Sequence, residues 1–242
     1  MDDTRVIDAV ILCGGLGQRL RSTIGESQKT MAKVADQPFL DFILQYLKDQ
    51  GFQRLVLCTG YQADQVQEHY RGKKFSGAEI IFSQEQQPLG TGGAVKNAQK
   101  LITSNPFVLL NGDSFCRIDY HRLLEFHDKQ GALLTMVVAP VADTQDYGTI
   151  IIEEHRIVGF REKEARATKD KGPFYVNVGI YVCDQRVWGH MPQQEKFSLE
   201  KDFFPQLLKE KVFGFVVNEE FLDIGTPARY ESAEQVLRQH KH

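Results

Sequence analysis

Four stretches of the chain hold residues whose types and spacing suit phosphate and metal chemistry. The run "LCGGLGQRL" (12–20) sets Gly14, Gly15 and Gly17 ahead of Arg19. Glycines let backbone N–H groups approach an anion closely, and an arginine adds a planar fork of donors. The run "PLGTGGA" (88–94) is a second glycine-rich stretch that leads into a helical pattern. Asn111-Gly112-Asp113 closes an apolar run, and Asp223 stands in "LDIGTP" (222–227) before a proline-opened helix. Two carboxylates, an arginine and glycine loops are the parts needed to hold a divalent metal beside a polyphosphate. Each stretch also has a plain structural use. Gly90, Gly92 and Gly93 would loosen a helix entrance, Asp113 would start a turn, and Asp223 would cap the last helix.

Several other chemistries are excluded by the same sequence. A dinucleotide fingerprint G-x-G-x-x-G fails because Leu20 stands where the third glycine should follow Gly15 and Gly17, and a G-x-x-x-x-G-K-[ST] loop fails at Gln18-Arg19. The seven histidines contain no HExxH pair. No Ser/His/Asp or Cys/His set stands out. The four cysteines, at 13, 58, 116 and 183, are far apart in sequence and are expected as buried reduced thiols, not as a zinc or disulfide frame. A net charge of −3 over 242 residues gives no electrostatic reason to expect nucleic acid or an anionic membrane as partner. No secretory signal and no apolar run of spanning length is present, so the expected location is cytoplasmic.

The elements that must position these residues follow from apolar periodicity. Runs at 10–13, 54–60, 79–83 and 106–113 read as buried strands of a mainly parallel sheet, alternating with helical patterns over 37–51, 91–102 and 119–131. Past residue 132 the rhythm becomes strand-rich, with a hairpin expected to turn at Glu154-His155 and a polar surface loop expected over 162–172. Helical patterns return at 199–209 and after Pro227. The expected fold is α/β: a Rossmann-like, doubly wound mixed sheet with an antiparallel substrate-binding half. One domain spans 1–242 in this reading, with a parallel half to about residue 131 and an antiparallel, substrate-facing half after it. Because ligands of open parallel sheets sit beyond the carboxyl ends of the strands, the four chemical stretches converge on one rim.

Taken in order, these motifs resemble those of the sugar-1-phosphate nucleotidyltransferases, over nearly the whole chain. "LCGGLGQRL" looks like the family's opening loop, "PLGTGGA" like its base-binding loop, and "NGD" and "DIGTP" like its two metal-aspartate motifs. "YGT", "FREK" and "NVGIYV" are similar to its sugar-binding elements. The resemblance implies a GT-A-like nucleotidyltransferase fold and an enzyme that couples a nucleoside triphosphate to a sugar 1-phosphate with release of pyrophosphate. It implies Mg²⁺ held by Asp113 and Asp223, and triphosphate contacts from Arg19 and Lys29. Leu12, Gly14, Gly15, Glu85, Gly90 and Thr91 would bind the nucleotide; Lys163 would bind the sugar phosphate; Gly148, Glu162 and Asn177 would touch the sugar. A homo-oligomer is left open. The chain departs from the family at Gln28, Thr30 and Lys33, where prolines are usual, and this bears on how rigidly Lys29 is presented.

Base choice turns on Glu85, five positions before Gly90. Guanine presents two adjacent donors that suit a carboxylate, whereas uracil and thymine present a mixed edge better matched by an amide. A solvated loop charge is the other reading of Glu85. "RLRSTI" and "PLGTGGA" look most like the D-glycero-α-D-manno-heptose 1-phosphate guanylyltransferases, which implies GTP and GDP-heptose for surface polysaccharide. Mannose-1-phosphate guanylyltransferases, N-acetylmuramate-1-phosphate uridylyltransferases and catalytically silent regulatory relatives are the alternatives.

Overall fold

Short apolar runs that stop at glycine or a turn residue become the strands of a nine-stranded mixed sheet. The computed structural model describes residues 6–15, 17–72, 77–141, 148–161 and 174–239. In chain order, β1 (Asp8–Leu12) leads through the glycine loop to α1 (Arg21–Ile24), the small hairpin of β2 (Lys33–Val34) and β3 (Gln37–Pro38), and α2 (Phe39–Asp49). Then come β4 (Arg54–Thr59), α3 (Ala63–Tyr70), β5 (Glu79–Gln84), α4 (Gly90–Ala98) and β6 (Phe107–Asn111). The second half holds β7 (Ser114–Cys116), α5 (Tyr120–Gln130), β8 (Leu134–Val141), β9 (Thr149–Glu153) and β10 (Arg156–Arg161). It ends with β11 (Phe174–Cys183), β12 (Val212–Val216), β13 (Phe221–Asp223) and α6 (Pro227–Gln239).

The strand order is β5-β4-β1-β6-β11-β8-β12-β10-β9. Strands β5, β4, β1 and β6 are parallel neighbours, and β11 runs antiparallel to both β6 and β8. Leu12 on β1 faces Cys58 on one side and Asn111 on the other, so the loops after β4, β1 and β6 emerge side by side. A separate ladder pairs β7 with β13 and sets Ser114 opposite Asp223. The topology therefore carries the glycine loop and both aspartates to one rim.

Packing explains why these residues fold this way. On β1, Ala9 and Ile11 enter one core layer and Val10 the other, as expected for a strand covered on both faces. Helix α2 buries Phe39, Leu40, Ile43, Leu44 and Leu47, a stripe at helical spacing, against the first layer. Each such side chain contributes on the order of 2 kcal/mol of apolar burial. The second layer is closed by α4 and by Val187, Phe197, Phe203, Phe204 and Leu207. All four cysteines are free and buried, and burial pushes the Cys58 and Cys116 thiols up to about 12. No helix among the described residues is long and apolar enough to cross a membrane.

The hairpin turns at Glu154-His155 as expected, with φ of 45° and 70° matching the primed turns that suit twisted strands. Two helical readings need correction. The stretch 199–209 forms a π turn (Leu199–Phe203) followed by a 3-10 segment (Phe204–Lys209). Pro205 has no N–H to continue an α ladder. Helix α3 was not expected, because its apolar signal is only Ala63, Val66 and Tyr70. The polar run 162–172 lies outside the described residues.

Candidate active site

A cavity of about 610 Å³ opens at the rim where β1, β5 and β6 end. Its wall includes Leu12, Gly14, Gly15, Arg19, Lys29, Glu85, Gly90, Thr91 and Asp113, nine residues brought together from five separate segments of the sequence. Gly17, at φ 57°, lets the loop turn into the 3-10 segment that bears Arg19. The Lys29 side chain runs directly beneath this turn: a Cβ on Gly17 would lie 3.0 Å from Lys29 Cβ. Arg19 and Lys29 also converge from different segments, each with its terminal nitrogen 3.7 Å from the position a Gly225 Cβ would take.

The two aspartates are neighbours through the β7–β13 ladder, where Ile224 donates its N–H to the Asp113 carbonyl at 3.0 Å. Each carboxylate faces a cation: Lys29 Nζ lies 2.5 Å from Asp113 Oδ2, and Arg229 Nη1 donates to Asp223 Oδ2 at 3.0 Å. The Gly225 N–H donates to Asp223 Oδ1 at 2.8 Å and fixes the carboxylate's orientation. Among the described residues no group of three or more His, Cys, Asp or Glu side chains would cage a metal by itself. A pair of carboxylates, Asp113 in the cavity wall and Asp223 two residues before the lining Gly225, fits Mg²⁺, which characteristically takes one or two carboxylates and completes its shell with water and substrate phosphate oxygens.

On the base side, Glu85 follows β5 and folds its carboxylate over the loop after β4. Oε2 accepts from the Leu89 N–H at 3.2 Å, and a Cβ on Gly60 would collide with Oε1. Burial raises the Glu85 carboxyl above its ordinary range, against the opposing pull of the Leu89 N–H. All three glycines of "PLGTGGA" pack against the chain at 195–197: Gly90 has φ 74°, and a Cβ on it would lie 2.6 Å from the Phe197 carbonyl oxygen. Gly92 and Gly93 are packed against the chain at 195–197, where a Cβ on either would strike Phe197 or the Glu195 carbonyl, and both donate their N–H to the Phe197 carbonyl. Gly90 also lines the cavity. The Thr91 hydroxyl donates to Glu200 Oε2 at 2.8 Å and accepts from the Leu199 N–H at 2.9 Å, so it ties α4 to the π turn.

The residues expected to touch a sugar are less assembled. Asn177 braces an irregularity in β11, donating from Nδ2 to Tyr181 Oη at 2.7 Å and accepting the Gly179 N–H at 2.8 Å. Gly148 is exposed just before β9. Neither lines the cavity. Glu162 and Lys163 lie outside the described residues. Of the cavity residues not expected as site residues, Asn111 and Gln28 carry the most chemistry. Asn111 has a buried Oδ1 with no hydrogen-bond partner among the described residues, a group whose desolvation calls for a ligand or water. Gln28, noted only as a departure, is fully buried. The signal for Asn111 was its place at a strand end two residues before Asp113.

The chain is similar to known proteins along nearly its whole length. The sequence profile of the nucleotidyl transferase family matches residues 8–240. The D-glycero-α-D-manno-heptose 1-phosphate guanylyltransferase of Aneurinibacillus thermoaerophilus is 37% identical over 96% of this chain and 99% of its own length. That of Campylobacter jejuni is 36% identical, over 93% of this chain and 97% of its own. The crystal structure of HddC from Yersinia pseudotuberculosis superposes with a TM-score of 0.84 at 34% identity, covering 96% of this chain and all of that one. A second crystal structure of HddC, complexed with GMP-PN, superposes at 0.83.

Proposed function

The chain belongs to the nucleotidyl transferase family, and from that premise we propose that it joins GTP to D-glycero-α-D-manno-heptose 1-phosphate, giving GDP-heptose and pyrophosphate. The observation that carries this reading is the single cavity in which Arg19, Lys29, Glu85 and Asp113 meet. Its two ends differ in chemistry. One offers cations for a triphosphate, the other a carboxylate acceptor for the N1–H and N2–H₂ of guanine.

The reaction suits residues of these kinds. An oxygen of the sugar phosphate attacks the α-phosphorus of GTP; the bond from that phosphorus to the bridging oxygen breaks, and pyrophosphate leaves in line. A phosphate monoester has its second pKa near about 6, so the nucleophile is already largely ionised at neutral pH and no general base is required. The barrier is instead the approach of one polyanion to another. Arg19 and Lys29 offset charge on the triphosphate and orient it, and Lys163 does the same for the sugar phosphate. Asp113 and Asp223 would hold Mg²⁺, which when bound would supply positive charge to offset that of the phosphates. Glu85 selects the base, while Leu12, Gly14, Gly15 and Gly90 shape the nucleoside pocket, with Thr91 fixing the start of α4. Gly148, Glu162 and Asn177 belong to the sugar side. The product would feed surface polysaccharide synthesis.

A pyrophosphate-release screen of the four ribonucleoside triphosphates against a panel of sugar 1-phosphates tests the reading. Turnover with GTP and the heptose phosphate is expected. Turnover confined to another nucleotide, or GDP-sugar binding without pyrophosphate release, would overturn it.

A further inference from the structure

We propose that Gln28 is a positioning residue that locks Lys29 to the glycine loop; the proposal rests on the reading of Lys29 as a triphosphate contact. Gln28 is wholly buried, and a buried carboxamide must place its donors and acceptors or incur a desolvation cost. Its Oε1 accepts three hydrogen bonds: from Thr30 N–H at 2.6 Å, from Thr30 Oγ1 at 2.6 Å and from Met31 N–H at 3.2 Å. These cap the 3-10 turn Lys29–Met31 from the residue immediately before it. The same side chain donates from Nε2 to the carbonyl of Cys13, the residue immediately before Gly14. Its backbone N–H donates to Gln65 Oε1 on α3 at 3.0 Å.

One residue thus joins the lysine turn, the start of the glycine loop and a neighbouring helix. Lys29 needs such a fixture. An ammonium on a four-carbon stem is a flexible point charge, and holding it in one place costs rotamer entropy unless its backbone and stem are constrained. Here the turn is capped by Gln28, the stem packs under Gly17, and the loop that would cradle the phosphates is tied to the same carboxamide. Lys29 and the loop amides therefore keep a fixed spacing. Gln28 sets that spacing without needing to touch substrate, and it supplies by hydrogen bonds the stiffness that a proline would supply by its ring.

A double-mutant cycle on the full chain tests this: wild type, Gln28→Ala, Lys29→Ala and the double variant, with KM measured separately for GTP and for the sugar phosphate, and thermal midpoints recorded. Gln28→Ala is expected to lower kcat/KM for GTP about ten- to hundredfold, the range for misplacing a charged group by about an ångström. KM for the sugar phosphate should stay within about twofold, and in the Lys29→Ala background the Gln28 substitution should cost under about threefold. Equal losses in both backgrounds would overturn the proposal, since Gln28 would then act on folding or on other groups. A Lys29→Ala variant with wild-type kcat/KM would instead overturn the reading of Lys29 itself, and the two failures are distinguishable. Should Gln28→Ala fail to fold, Gln28→Glu keeps the acceptor for Thr30 and Met31 but has no donor for Cys13, and Gln65→Ala removes only the link to α3. Both should show a smaller loss with the same dependence on Lys29, and a loss independent of Lys29 would count against the proposal.

Discussion

Replacing Glu85 by glutamine keeps the side chain's shape and changes one acceptor oxygen into a donor NH₂. The structure sets the size of the effect. Glu85 Oε2 already accepts the Leu89 N–H at 3.2 Å, and the glutamine oxygen takes over that bond, so the new NH₂ falls at the Oε1 position beside Gly14 and Gly60. Glu85 and Gly14 both line the cavity, and in this reading the Oε1 position faces guanine. One charge-assisted hydrogen bond is worth about 1.5–3 kcal/mol, so kcat/KM for GTP should drop roughly ten- to hundredfold. UTP, whose edge mixes donor and acceptor, should lose far less or gain. The assay is the ratio of kcat/KM for GTP to that for UTP on one variant, which cancels general damage to folding or metal binding. A pH series adds a second reading. The carboxylate form is the acceptor, and burial raises the Glu85 pKa, so wild-type GTP affinity should weaken as pH falls through a value above the ordinary glutamate range. Glu85→Gln should show no such step. An unchanged GTP-to-UTP ratio would refute the assignment and move base selection to backbone groups around Gly14 and Gly90.

Asp113→Asn and Asp223→Asn should each cut kcat by two or more orders of magnitude, and excess chelator should abolish turnover; full activity in chelator would refute the metal assignment. Lys163→Ala should raise KM for the sugar phosphate, whereas Arg19→Ala should lower kcat by about tenfold or more; wild-type constants for both substrates in both variants would remove these roles. At the opposite end of the sheet, burial would raise the Asp8 carboxyl, but the N–H groups of Ser104 and Thr103 and the Arg54 guanidinium hold it below its usual range. Its contribution is present above the unfolded-state pKa and is lost as pH falls through the folded one, so Asp8→Asn should cost about 2–3 kcal/mol at pH 7 and progressively less below about pH 4 by chemical denaturation. A penalty that did not change with pH would contradict this.

Much of the parallel half was legible because its strands are apolar on both faces and end on turn residues. The starts of β1 (Asp8–Leu12), β4 and β6 lie within two residues of expectation, and α5 stops at Gly131, which takes the left-handed conformation. The rim site was legible for a related reason: a strand order fixes which loops are neighbours, and Arg19, Glu85 and Asp113 all follow strands of one sheet. What sequence could not supply was the use each polar group makes of its neighbours. The glycines at 92 and 93 read as ligand-loop or helix-entrance residues, and their packing role shows only when the 195–197 segment is seen against them. Gln28 looked like a loss of stiffness, because its three acceptor bonds to Thr30 and Met31 and its donor bond to Cys13, fifteen residues away, depend on how the turn folds. The short ladder of β7 and β13, which makes Asp113 and Asp223 neighbours, has no periodic signal at three residues per strand.

The most direct test of guanylyl transfer is a mass spectrum of the products formed from GTP and D-glycero-α-D-manno-heptose 1-phosphate carrying ¹⁸O in its phosphate. Attack by the sugar phosphate on the α-phosphorus predicts GDP-heptose that keeps every ¹⁸O atom, formed in equal amount with unlabelled pyrophosphate. Label in the pyrophosphate, or GTP consumed without any GDP-heptose, would contradict the account.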